Sequence, residues 1–143
     1  APLSMTSPYS AGALCMAVPD YLRWQAALTG GRVVRPATYA AMSRGDTLAS
    51  GAPIAYGWGL VTGKLAGRRV VDHGGDINGF SADALWLPDD SVRVAVFTNT
   101  LGSQPARLAQ NLAAAALGLP LRAGPPRLAA VALPDSVRDA VPG

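Results

Sequence analysis

The sequence contains a single cysteine and a single histidine, and both scarcities exclude classes of protein. With Cys15 alone, the chain forms no internal disulfide and no cysteine-rich metal site. His73 is the only imidazole, so a zinc site would need three or more carboxylates. We therefore expect no bound metal and no cofactor.

Basic residues are also too dispersed to form a nucleic-acid surface. The net charge is +3, and the arginines are scattered without a basic run, so nucleic acid is not an expected partner. No apolar stretch approaches the length of a membrane span, and the first residues lack the order of a signal peptide, which says little if the chain belongs to a longer protein. The 50% hydrophobic content suffices for one folded domain with a core.

The periodic segments predict an α+β fold, in which helices flank an antiparallel sheet of about four strands. Pro19 begins a helix that Gly30 ends, and a shorter helix runs over residues 36–44. Ser103 is the expected N-cap of the last helix. Short turns favour antiparallel neighbours, and the predicted strands cover residues 56–62, the stretch from Val70 to His73, residues 80–87 and residues 92–99.

Several local patterns carry further expectations. Residues 1–10 are expected to be an extended lead-in, and residues 11–16 to be buried together with an inert Cys15 thiol. The stripe of Tyr21, Trp24 and Leu28 is typical of a helix face in the core. Glycines within the strand over residues 56–62 indicate that another element lies close against one face.

The stretch around His73 is the candidate for chemistry. An apolar, strand-like pair (Val70, Val71) leads into His73, and two glycines follow at once. Because glycine has no Cβ, a ligand can approach the main chain closely here. A polar side chain at the end of a strand, beside exposed backbone N–H groups, suits catalysis. The alternative is a β-turn that happens to contain a histidine.

An ordered set of short motifs resembles the C-terminal portion of the serine β-lactamase and penicillin-binding protein superfamily. The likeness is to the class C-like branch, which also holds D-alanyl peptidases and esterases. The motifs occur in the order of the family over roughly residues 11–118, and His73-Gly74-Gly75 resembles its third motif. The other matching residues are Ala11-Gly12-Ala13-Leu14, Asp20-Tyr21-Leu22-Arg23-Trp24, Tyr56-Gly57-Trp58-Gly59, Gly79-Phe80 and Val94-Ala95-Val96-Phe97-Thr98-Asn99.

The resemblance implies hydrolysis of a small acyl substrate (a β-lactam, a D-Ala peptide or an ester) through an acyl-enzyme. It assigns catalytic roles to His73, which holds a carboxylate or moves a proton, and to Asp76, whose backbone N–H forms one arm of an oxyanion hole. It assigns Gly74 and Gly75 to substrate binding. It also implies an extracytoplasmic location.

Two other motifs of the superfamily are missing from this chain. Its only lysine, Lys64, follows Val61 by three positions, so there is no Ser-x-x-Lys, and no Tyr is followed two residues later by Asn. We therefore expect residues 1–119 to be the C-terminal segment of a β-lactamase-like domain without its catalytic half, and inactive alone. Residues 120–143 are expected to be a proline-rich linker or tail. The expected partner is the missing N-terminal half or a second copy of the chain.

Two alternatives remain open at this point. The same sheet suits a non-catalytic module that binds a partner. A free-standing enzyme is the other alternative, in which Ser81 and Asp72 complete a triad with His73, although Gly-x-Ser-x-Gly is absent because residue 83 is Asp.

Overall fold

The computed structural model of the chain describes residues 4, 6 and 8–124, and it confirms the predicted α+β class. Four strands form one antiparallel sheet in sequence order, and a ribbon of two short strands precedes it. The elements are α1 (Tyr9–Gly12), α2 (Val18–Thr29), α3 (Pro36–Met42), β1 (Asp46–Thr47), β2 (Pro53–Ile54), β3 (Val61–Leu65), β4 (Arg68–Ile77), β5 (Phe80–Leu87), β6 (Val92–Thr98) and α4 (Pro105–Ala116).

Tight turns connect the strands of the main sheet and fix their order. Ala66 and Gly67, with φ angles of 49° and 83°, form the two-residue turn between β3 and β4, a type I′ geometry that matches strand twist. Asn78 and Gly79 join β4 to β5. Each strand therefore pairs with its sequence neighbour, as the short spacings predicted.

The core lies between the sheet and α4. Val70, Leu85, Leu87 and Val96 share one sheet face and are almost fully buried. The helix presents small residues to them, since Ala109 and Ala113 are 0% exposed. Alanines let the helix axis approach the sheet closely, and each buried leucine stabilises the fold by about 1.5–3 kcal/mol.

The opposite face of the sheet packs against α2. Tyr21 meets Phe97 edge to face, with ring centroids 5.6 Å apart. The Arg93 guanidinium lies 3.6 Å from the centroid of the Trp86 ring and donates a 2.9 Å hydrogen bond to Thr29 Oγ1. Both sheet faces therefore have helical cover.

The predicted core stripe on α2 is only partly buried. Leu28 is 4% exposed, but Trp24 is 45% exposed and Tyr21 is half-buried. The expectation that Trp24 belongs to the core was wrong, because this ring lies at the edge of an open groove.

The strand predicted over residues 56–62 is mostly a loop, and regular pairing begins only at Val61. A single bridge joins Tyr56 to Val61. The loop is bonded to the end of α3 instead, because the Trp58 N–H donates to Met42 O at 3.0 Å. A Cβ on Gly57 would lie 2.1 Å from Met42 O, whereas a Cβ on Gly59 would meet nothing within 4 Å, so the predicted close approach is confirmed for Gly57 alone.

Three other local expectations were wrong. Residues 9–12 form a helical turn rather than an extended lead-in. Cys15 is exposed and Leu14 is 81% exposed, because this segment borders the groove instead of the core. Ser103 does not cap α4: its Oγ lies 2.6 Å from Thr98 Oγ1, and Gln104 occupies the N-cap position.

The predicted tail falls mainly outside the described residues, as does the start of the lead-in. Within the described part, Asn111 of α4 bonds the backbone of Arg122 in both directions, at 2.9 and 3.1 Å. None of the helices described here is long and apolar enough to cross a bilayer.

Candidate active site

Strand β4 extends beyond β3, so its second half has a free edge. β3 pairs only with residues 68–72, whereas residues 71–77 pair with β5. Backbone N–H and C=O groups of successive strand residues point to alternate edges of the strand. The two-residue turn between Ile77 and Phe80 directs the backbone groups of residues 73, 75 and 77 toward β5. The backbone groups of Gly74 and Asp76 therefore point to the free edge.

His73 lies inside this strand, neither at its end nor in a β-turn. The prediction that the strand ends at His73 was wrong, because Gly74 and Gly75 continue the ladder with β5. His73 pairs with Ala84 and lies on the α2 face of the sheet, whereas Gly74 and Asp76 lie on the α4 face. The imidazole is exposed to solvent.

The exposed side of His73 borders an open groove of about 1170 Å³. One wall is α1 with the segment before α2, which includes Leu14 and Met16; the other is formed by the ends of β4, β5 and β6. Most of the lining is apolar, and it includes Asp76 and Asp83, whose side chains project to the α4 face of the sheet. No lysine or arginine of the described residues lines the groove.

The two glycines after His73 meet different surroundings. A Cβ on Gly74 would lie 2.8 Å from Asp83 Oδ2 and 3.2 Å from Ala82 O. A Cβ on Gly75 would meet nothing within 4 Å. Gly74 therefore makes room for the Asp83 carboxylate, and Gly75 leaves open space on the groove side of the strand.

Tyr56 contacts His73 directly, and the sequence analysis did not assign this residue a role. Its hydroxyl lies 3.0 Å from His73 Nε2, and the two ring centroids are 5.8 Å apart in an edge arrangement. The residue belongs to one of the matching motifs, but interpreting its segment as a regular strand concealed the contact. This hydrogen bond holds one ring nitrogen of the candidate catalytic group.

The carboxyl groups of Asp72 and Asp83 belong to neighbouring strands and lie on the α4 face of the sheet. Burial raises the pKa of Asp83 to about 6, the nearby negative charge of Asp72 adds to the increase, and His73 opposes it. Burial also raises the pKa of Asp72, and His73 again opposes the shift. Only 7% of the surface of Asp83 is exposed, so the charged form of its carboxyl group is poorly solvated.

The structure does not bring together the alternative triad of Ser81, His73 and Asp72. Ser81 and Asp72 lie on the α4 face of the sheet, opposite to His73. Ser81 is buried, with 2% of its surface exposed. Among residues 4, 6 and 8–124, no cluster of three or more His, Cys, Asp or Glu side chains is placed to hold a metal ion.

Comparison with known families identifies the family to which this chain belongs. A family model described as "Beta-lactamase" matches residues 1–119. The chain belongs to the beta-lactamase family. This membership confirms the resemblance found in the motifs, and it places the chain in a family of hydrolases.

The proteins that are similar in sequence to this chain of the beta-lactamase family include D-aminopeptidases. The protein from Brucella ovis is 29% identical over 107 residues, which are 75% of this chain and 20% of that protein. The protein from Gluconobacter oxydans is 32% identical over 101 residues, which are 71% of this chain and 19% of that protein. The chain thus spans about a fifth of the length of the curated relatives it matches.

A solved structure shares the fold of this beta-lactamase family chain. The octameric penicillin-binding protein homologue from Pyrococcus abyssi superposes with a TM-score of 0.63 and 22% sequence identity. The match covers 72% of this chain and 24% of that one. It shows a common arrangement of sheet and helices.

Proposed function

We propose that this chain forms one wall of the active site of a serine hydrolase of the β-lactamase type, and that the nucleophilic serine belongs to another part of the same protein. The supporting observation is that the free half of β4 places the exposed His73 imidazole and Gly75, which has no side chain, along an open groove. A groove of this kind accommodates an extended acyl substrate beside the strand.

Each residue of the strand has a distinct role in this proposal. His73 holds an oxygen of the substrate or moves a proton, since an imidazole is able to do both near neutral pH. The backbone N–H of Asp76 points to the free edge, where it donates to the developing oxyanion. Such a donor lowers the barrier by about 3 kcal/mol. Gly75 lets the substrate approach the strand, and Gly74 contributes by accommodating the Asp83 carboxylate beneath the strand.

The charge of the groove selects among substrate classes. Among the described residues no arginine or lysine lines the groove, so a substrate carboxylate has His73 as its only basic partner on this wall. A neutral ester or a peptide with a free ammonium group therefore fits better than a β-lactam or a D-Ala peptide, both of which carry a carboxylate. The names of the Brucella and Gluconobacter relatives, D-aminopeptidases, support a substrate with a free amine.

The test is an assay of the full-length gene product that contains this chain. We expect D-alanine p-nitroanilide or p-nitrophenyl acetate to be hydrolysed faster than nitrocefin. We expect His73→Ala to lower kcat/KM by about 10²–10⁴-fold, whereas Arg23→Ala, in an exposed ion pair with Asp20 and outside the groove lining, leaves it unchanged. If His73→Ala were as active as the unaltered protein on all three substrates, the proposed role of this strand would be wrong.

A non-catalytic binding module is the second candidate, and the exposed apolar lining of the groove favours it. Leu14, Phe80 and Trp24 are 81%, 58% and 45% exposed, and exposed apolar surface of this kind commonly mediates association. A fluorophosphonate probe separates the two candidates. Covalent labelling of the full-length product supports the hydrolase, and a folded product that never becomes labelled supports the module.

Two further parts of the proposal rest on the family and the sequence pattern. An extracytoplasmic location is tested by fractionating cells and probing for the protein in each compartment. The boundary between a domain over residues 1–119 and a linker or tail over residues 120–143 is tested by limited proteolysis. Cleavage should concentrate after residue 120, and early cleavage within β4 to β6 would contradict it.

A further inference from the structure

We propose that Tyr56 is a positioning residue that fixes the tautomer of His73, so that Nδ1–H is the donor this ring offers to a ligand. The carrying observation is the 3.0 Å distance between the Tyr56 hydroxyl and His73 Nε2. Nδ1 has no protein hydrogen-bond partner among the described residues. A neutral imidazole carries one N–H and one acceptor nitrogen, and the bond to one nitrogen determines the state of the other.

The direction of this hydrogen bond follows from the chemistry of its two partners. An imidazole nitrogen is a much stronger base than a phenol oxygen, and a phenol is the better donor when the imidazole is neutral. The favourable arrangement has the Tyr56 O–H donating to Nε2, which leaves the ring proton on Nδ1. If the ring becomes protonated, the phenol oxygen accepts from Nε2–H and the bond is retained with its direction reversed.

The loop that carries Tyr56 is held in place by its backbone. Gly57 N–H donates to Leu60 O at 2.8 Å, and Thr62 N–H donates to Ala55 O at 2.8 Å. The Trp58 N–H bonds Met42 O, and the same carbonyl occupies the space of a Gly57 Cβ. The phenol therefore approaches the imidazole from a fixed loop, even though its ring is 44% exposed.

The ligand class follows from the tautomer. An Nδ1–H donor binds an acceptor, which is a carbonyl or carboxylate oxygen of the substrate, and it does not accept a proton from a hydroxyl or ammonium donor in that state. This identification of the ligand group rests on the proposed function, whereas the tautomer itself is measured without substrate. The failure of one is therefore distinguishable from the failure of the other.

The test uses ¹⁵N NMR of the chain with labelled histidine, in which His73 gives the only imidazole signals. At about pH 8.5, where an ordinary imidazole is neutral, we expect long-range ¹H–¹⁵N couplings to show Nδ1–H as the major tautomer. Tyr56→Phe removes the hydroxyl and keeps the ring, and it should shift the tautomer ratio toward Nε2–H by about threefold to tenfold, the effect of one hydrogen bond. Tyr9→Phe removes an exposed tyrosine hydroxyl that lies outside the groove lining and does not bond the imidazole, and it should leave the ratio unchanged.

Three results would overturn the inference: Nε2–H as the major form in the unaltered chain, an unchanged ratio in Tyr56→Phe, or an equal shift in Tyr9→Phe. The backbone ¹H–¹⁵N spectrum of each variant shows whether it is folded. If Tyr56→Phe fails to fold, the tautomer of the unaltered chain decides the question alone.

Discussion

The carboxylate of Asp83 occupies the space that a side chain on Gly74 would need, with Oδ2 2.8 Å from the position of a Cβ. The second residue of the His-Gly-Gly motif is thus constrained from the α4 face of the sheet, opposite to the groove. The two glycines serve different purposes: Gly74 accommodates a neighbouring strand's side chain, and Gly75 leaves the groove open.

Gly74→Ala should therefore destabilise the fold. The new methyl group meets Asp83 and the backbone oxygen of Ala82, which is 3.2 Å away and unable to rotate aside. Overpacking of this kind costs about 1–3 kcal/mol in the free energy of unfolding, measurable by urea denaturation. Gly75→Ala is the matched control, because its Cβ meets open space, and equal losses in the two variants would contradict the assignment.

The stability of the chain should depend on the charge of Asp83. Its pKa is raised from 3.8 to about 6, so the folded protein holds this proton at pH values where the unfolded chain has released it. The free energy of unfolding therefore falls as the pH rises from about 4 to about 6, and the loss is complete above that range. We expect Asp83→Asn to remove this loss and to be more stable at pH 7.5 by about 1–2 kcal/mol, after allowance for solvent near the groove.

Urea denaturation at pH 4.5 and 7.5 measures the effect of Asp83→Asn. Asp20→Asn is the control, because Asp20 lies in an exposed ion pair with Arg23 and should change the pH dependence little. An Asp83→Asn variant that is less stable than the unaltered chain at pH 7.5 would show that the ionised carboxylate stabilises the fold.

Arg93 should stabilise the contact between β6 and α2 through its shape as well as its charge. The guanidinium stacks on Trp86 at 3.6 Å and bonds Thr29 Oγ1 at 2.9 Å. An ammonium group lacks the planar face that stacks on the indole. We expect Arg93→Lys to lower the free energy of unfolding by about 1–2 kcal/mol. Thermal denaturation measures this change.

Arg69→Lys is the matched substitution for Arg93→Lys. Arg69 bonds Asp89 at 3.2 Å, and both side chains are more than half exposed, so its replacement should lower the melting temperature by much less. Similar losses at the two positions would mean that the stack on Trp86 contributes nothing.

The chain on its own should associate through the apolar lining of the groove. Leu14 is 81% exposed there, and burying such a side chain against a second copy is favourable. Light scattering after size exclusion should show a dimer or larger species, and Leu14→Ser should weaken it. Leu101→Ser, at a 56% exposed position outside the groove lining, should not. A stable, folded monomer of the unaltered chain would contradict this prediction.

The fold was largely predictable because its strongest signals are local. Pro36 and Gly30 mark helix ends, and the turns after Leu65 and Leu87 specify antiparallel pairing without knowledge of distant contacts. The exceptions depend on tertiary contacts. Tyr56 and Trp58 alternate with Gly57 and Gly59 like a strand, yet the Trp58 N–H bonds Met42 O and holds this loop against the end of α3. Nothing in the spacing of residues 11–16 distinguishes a groove wall from a core.

The candidate site was predictable in composition but not in geometry. Motif order identified His73, Gly74, Gly75 and Asp76, and their catalytic and binding roles remain predictions. The contact of Tyr56 with His73 joins residues 17 positions apart, and the Asp83 contact with Gly74 depends on strand register. Neither relationship follows from periodicity, because each requires two segments to be placed in space.

The position of the reactive serine is the most direct test of the account. The full-length gene product is labelled with a fluorophosphonate probe, digested, and its adduct located by mass spectrometry. We predict an adduct on a serine that lies outside residues 1–143 and is followed three residues later by lysine. An adduct on Ser81, or on any other serine of this chain, would contradict the central claim.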